Sequence, residues 1–141
     1  MNYKTSQEDF ETFKEELTYW LGFFGLKTWE VSFYWNDKHI DNRATTEPEV
    51  GPRLCKFILT KSKWSYAPDE TEIRRLAFHE CCELLIAEMA HWAEERNPEG
   101  SWDDISHRFI RIMENSVFTL RLDTIENSDK LSTSQQFGRT E

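Results

Sequence analysis

An α+β fold follows from three features of this 141-residue sequence. Long stretches carry apolar residues at three-to-four spacing, two shorter ones alternate apolar and polar residues, and turn-forming clusters separate them. The expected architecture is an N-terminal helix, a small β-sheet of two to four strands, a central helix and a C-terminal helix. All of it lies in a single domain over residues 1–126, followed by a flexible C-terminal tail over residues 127–141.

The first helix begins at Ser6, a natural N-cap, and buries Phe10, Phe13, Leu17, Trp20, Leu21 and Phe24 before Gly22 and Gly25 close it. Glu15 and Glu16 read as part of its solvated face. Lys27 to Trp35 reads as a strand, because Trp29, Val31, Phe33 and Trp35 alternate with Thr28, Glu30, Ser32 and Tyr34. Residues 38–53 read as a loop, on account of Pro48, Gly51 and Pro52, with room for a short strand over Arg43–Thr46. Leu54 to Lys61 reads as the next strand, with Cys55, Phe57 and Leu59 on one apolar face.

Asp69 or Thr71 can cap the central helix, which is expected to run unbroken from about Glu70 to Arg96. Its apolar stripe is Phe78, Cys82, Leu85, Ile86, Met89 and Trp92. The final helix is expected from Ser101, in capping-box spacing with Asp104, to about Asp123. Ile105, Phe109, Ile112, Met113, Val117 and Leu120 form its apolar side. The six tryptophans read as core or boundary residues.

With 17 Lys and Arg against 26 Asp and Glu, the chain has a net charge of −9. That balance disfavours the positive field that nucleic acid or anionic lipid requires. The chain also has no apolar run near the roughly 18 residues of a membrane span and no signal-peptide layout at its start. A cytoplasmic protein is expected, with no membrane partner. Three cysteines, two of them adjacent, make no disulfide framework, so Cys55, Cys81 and Cys82 read as free core thiols.

The chemistry lies in the central helix. His79 and Glu83 are four residues apart, one turn from each other on the same side, where an imidazole and a carboxylate can grip one cation. Glu80, one residue further round, can take a proton from water held there. A third ligand has to come from the segment beyond. Glu114 and His107 lie seven apart on one side of the final helix, and either serves as a ligand or as a partner that orients one. His91 and Cys82 are weaker alternatives.

The stretch Phe78-His79-Glu80-Cys81-Cys82-Glu83-Leu84-Leu85-Ile86 resembles the HExxH helix of zincin metallopeptidases, above all the small zincin-like proteins of phages and prophages. Thr28–Phe33 resembles that family's first strand, Leu54–Leu59 its next long strand, Glu72–Leu76 the lead into its active-site helix and Ile110–Asn115 its closing helix. About residues 15 to 122 are covered. The resemblance implies that His79 is a zinc ligand and that Glu80 activates water, in an enzyme that hydrolyses peptide bonds. Glu83 stands where the family has histidine. A carboxylate there still binds zinc, but it adds negative charge and lowers the ion's acidity.

The sequence therefore leads to a zinc-dependent metallopeptidase acting on a protein or peptide, with Glu80 as base and His79, Glu83 and Glu114 or His107 as ligands. Two alternatives remain. One is the same scaffold without activity, kept as a protein-binding module, and the other is a small acidic phage-type effector that imitates nucleic acid.

Overall fold

A computed structural model describes residues 2–62 and 64–137. The fold is α+β. Helix α1 (Gln7–Phe23) leads into three strands, β1 (Glu30–Asn36), β2 (Ala44–Glu49) and β3 (Leu54–Thr60). Four helices follow, α2 (Glu70–Leu85), α3 (Ala87–Arg96), α4 (Trp102–Met113) and α5 (Thr119–Phe137), and a π-helical turn, Glu114–Phe118, joins the last two. No helix among the described residues is long and apolar enough to cross a membrane.

Helix α1 starts as its sequence dictates. The Ser6 hydroxyl accepts from the Asp9 backbone N–H at 3.0 Å, and the Asp9 carboxylate accepts from the Ser6 N–H at 2.8 Å. This reciprocal box satisfies two amides that the first turn would otherwise leave unpaired. Past the end of the helix, Gly25 turns the chain at φ 70°.

The sheet has the order β1-β3-β2, with β1 parallel and β2 antiparallel to β3. Cys55, Phe57 and Leu59 of β3 enter the core, and Val31, Phe33 and Trp35 of β1 pack on the same side. Both alternations are those of the sequence. Strand β2 runs further than the short Arg43–Thr46 strand expected, through Pro48. As the outer strand it has only one paired edge, and a proline is accommodated there.

Against the helical face of the sheet lie α1 and α2, with Phe13, Leu17, Trp20, Ile73, Ala77, Phe78 and Cys81 fully buried or nearly so. Phe78 stacks edge-on to Trp20 at 4.6 Å and lies face to face with Phe118 at 5.4 Å, tying α1 and α2 to the C-terminal segment. All three cysteines are free and buried.

Four expectations are corrected. Glu16 is not on a solvated face. It is 0% exposed, and its Oε1 accepts from Arg121 Nε at 3.0 Å and from Arg74 Nη1 at 3.4 Å. This ion triad joins α1, α2 and α5, and a lone sequence cannot show the two distant arginines that make the burial tolerable.

The central helix is not continuous. At Ile86 the backbone leaves helical geometry (φ −101°, ψ 5°), with its N–H bonded to the carbonyls of Cys82 and Leu84, and the chain restarts as α3. The side chain of Ile86 stays in the core while Met89 and Trp92, both 58% exposed, are turned away from it.

The final helix is rotated relative to its sequence stripe. Ile110 and Phe118 are buried, and Met113 and Val117 of the expected side still pack against the core, whereas Ile105, Phe109, Ile112 and Leu120 face outward. Burial of Ile110 and Phe118 against α2 outweighs the more numerous apolar residues on the other side. Ser101 makes no side-chain cap bond.

Finally, residues 127–137 are helical where a frayed tail was expected. They continue α5, with every residue from Glu126 to Ser132 exposed and Lys130 paired to Glu126 one turn earlier at 3.9 Å.

Candidate metal centre

Helix α2 presents its polar edge to a cleft of about 800 Å³ between the helices and β2. His79 and Glu83 occupy successive turns of that edge, with His79 Nε2 3.6 Å from Glu83 Oε1. The rotation of α4 brings His107 over the same spot, its Nε2 3.8 Å from the same carboxylate oxygen and its ring centroid 5.7 Å from that of His79. One donor atom from each of His79, Glu83 and His107 lies within 4.8 Å of the others.

Glu114, on the first residue of the π-helical turn, is placed differently. Its Oε1 meets His79 Nδ1 at 2.8 Å. That contact fixes the imidazole ring and leaves Nε2, the nitrogen on the Glu83 side, as the outward donor. Glu114, the first choice for third ligand, and His107, its alternative, are thus placed the other way round: His107 joins the donor trio, and Glu114 orients His79. Of the weaker alternatives, Cys82 is buried and its thiol is pushed up to about 12 by that burial, with the Glu114 and Glu83 carboxylates adding to the effect. His91 pairs with Glu95 at 3.0 Å on α3.

Glu80 projects from α2 toward the outer strand and is 4% exposed. The Thr46 hydroxyl bonds to the Glu80 carboxylate and lies 3.1 Å from its backbone carbonyl. Thr46 was not singled out in the sequence. The β2 sequence, Ala-Thr-Thr-Glu-Pro-Glu, carries no alternation that would have marked it.

Charge and burial set the protonation of the cluster. Burial, with the Glu83 carboxylate next, pushes Glu80 up to about 8, against the Thr46 hydroxyl. For His79, burial disfavours the charged ring, but the bonds to Glu114 and Glu83 outweigh it and raise it to about 10. Burial likewise opposes the charge on Glu83, yet the His79 bond holds its carboxyl below the usual range. The Glu83 and Glu114 side chains thus flank one imidazole, with Glu80 beside them, and the pocket favours a positive charge at its centre.

Zinc fits these donors. Ligand atoms about 2.0–2.1 Å from a tetrahedral ion stand about 3.3 Å apart. The observed 3.6 and 3.8 Å need only small side-chain adjustments to reach that value. The set of two imidazoles and one carboxylate is also a donor composition that catalytic zinc uses, with a fourth position open.

Beyond the donors, the cleft continues along β2. Arg43 lies over the rings of Trp64 and Tyr66, 5.5 and 5.1 Å from their centroids, and Arg75 and Thr45 line the same space. Comparison with protein-family models, curated proteins and solved structures gives no match for this chain.

Proposed function

We propose that this protein is a zinc-dependent hydrolase of peptide bonds, held together by His79, Glu83 and His107. The observation that carries the reading is the convergence of these three donors at the floor of an open cleft, with Glu80 beside them. When bound, zinc supplies a Lewis acid that polarises a carbonyl and makes water acidic near neutral pH.

The chain's own residues do the rest. Glu80, buried and held by Thr46, is the proton acceptor. Beside a cation held by His79, Glu83 and His107 its ionised form is favoured, and in that form it can take a proton and return it to a leaving amine. Glu114 keeps His79 in one ring orientation, as outer partners of histidine ligands do. The unpaired edge of β2 runs along the cleft through Ala44, Thr45 and Thr46. An extended peptide that hydrogen-bonds to this edge passes the donors and Glu80, which is why a peptide is the favoured substrate.

The test is the zinc content of protein purified without chelator. One zinc per chain in wild type, lost in His79→Ala, Glu83→Ala and His107→Ala, supports the site. Glu114→Ala is expected to bind zinc about 10–100-fold more weakly. Cleavage of a peptide library by wild type, abolished in Glu80→Gln with zinc content unchanged, supports the activity. A folded wild type that takes up no zinc refutes both. Zinc uptake without cleavage favours the second reading, an inactive binding module, for which the self-contained His79–Glu114 pair is the supporting observation.

A further inference from the structure

The most amphipathic helix in the chain turns its apolar side to solvent. On α4, Ile105, Phe109 and Ile112 are 50%, 40% and 66% exposed. At about 100° per residue they fall within one stripe. The inner side of α4 is already used: Ile110 is buried, and His107 and Glu114 face α2. The neighbouring α3 exposes Met89 and Trp92 as well. Isolated apolar residues on a surface are ordinary, but a continuous stripe on one helix marks an interface.

We infer that this stripe is where two copies of the chain meet, with their α4 helices packed antiparallel. The polar residues beside the stripe select that partner. Asp104, Arg108 and Arg111 all lie along one flank of it, the acid toward the N-terminus and the bases toward the C-terminus. In a twofold antiparallel pair each flank faces its own copy in reverse order. A twofold axis midway between Ile105 and Ile112 sets each Ile105 against the other chain's Ile112 and leaves Asp104 about 3 Å along the axis from the level of the partner's Arg111, within reach of that long side chain, on both sides of the axis.

Neither Asp104 nor Arg111 forms an ion pair among the described residues, so both are free for this exchange. Arg108, near the centre, is bent back to the Asp104 carbonyl at 3.4 Å, which draws its charge toward the acid and away from its symmetry mate. In a parallel pair this flank would face the opposite, uncharged flank of the partner, with Trp102, Ser106 and Met113, and Asp104 and Arg111 would find no opposite charge there.

Sedimentation equilibrium of the full chain over micromolar to sub-millimolar concentration tests the inference. Wild type is expected to reach twice its chain mass of 16.9 kDa. Ile112→Glu places a charge in the stripe, at a position exposed enough to leave the fold intact by circular dichroism, and should weaken association at least about a hundredfold. Arg111→Asp alone should weaken it about tenfold, since each substitution touches two symmetric contacts. The double exchange Asp104→Arg with Arg111→Asp should restore it.

A monomer at every concentration overturns the inference and leaves the stripe to a different protein. A dimer indifferent to Ile112→Glu overturns it too, and a double exchange no tighter than Arg111→Asp overturns the antiparallel arrangement. None of these readouts depends on zinc.

Discussion

Replacing Glu16 by alanine should cost about 3–5 kcal/mol of folding stability, although the change removes only one side chain from a helix that favours alanine. The magnitude follows from what is left behind. The carboxylate is 0% exposed, and its Oε1 takes both Arg121 Nε at 3.0 Å and Arg74 Nη1 at 3.4 Å. Those arginines have only 16% and 12% of their side chains exposed. Arg74 keeps Glu70 at 2.8 Å, but Arg121 retains only the ring of Tyr19, 3.7 Å away.

The loss is therefore dominated by Arg121, a guanidinium stranded in a mostly dry site. At this chain length about 4 kcal/mol corresponds to a melting point lower by roughly 15 °C. Urea unfolding should show the same loss with an unchanged slope, since the surface exposed on unfolding is nearly the same. In a double-mutant cycle, Glu16→Ala and Arg121→Ala should couple by more than about 1 kcal/mol. A single-variant loss below about 1 kcal/mol, or additive effects in the cycle, would refute the reasoning and make the triad incidental.

Two further outcomes are expected. In chelator-treated protein His79 has a folded-state pKa near 10, above its ordinary 6.5, and Glu80 one near 8, above its ordinary 4.5. Raised values bind protons more tightly when folded, so stability falls as pH rises, from about 4.5 to 8 through Glu80 and from about 6.5 to 10 through His79. Melting curves across that range check it, and a flat or rising profile would contradict the assigned contacts. Cys55 and Cys82 are pushed up to about 12, chiefly by burial, and Cys81 is raised further. A thiol reagent at pH 8 should modify none of the three in the folded protein and all of them in denaturant. Rapid labelling of even one native thiol would count against the packing of α2 on the sheet.

Local features of the fold were legible in the sequence. The Ser6 cap, the α1 stripe and the alternations of β1 and β3 involve neighbours within a turn or a strand, and the structure reproduces them. His79 and Glu83 were recognisable for the same reason, being one turn apart. What escaped depends on distant partners. Glu16 looks solvated until Arg121, over a hundred residues later, is folded against it. The apolar count on the final helix pointed to Ile105, Phe109 and Ile112, but the side that packs is decided by the fit of Ile110 and Phe118 against α2. That same rotation is what brings His107 and Glu114 to His79.

Because β3 lies between its two partners, the sheet assembles in a definite order. β2 and β3 are joined by residues 50–53, with Arg53 at φ 57°, so their pairing closes a short loop. β1 finds β3 only across about 24 positions, from Glu30 to Leu54. Hairpins form in about 1–10 μs, and longer-range pairings wait for closure entropy to be overcome. Loop closure alone therefore favours the β2–β3 ribbon over the β1–β3 pairing. Thr46 belongs to that ribbon, so the short connection over residues 50–53 is what sets the surface that receives Glu80.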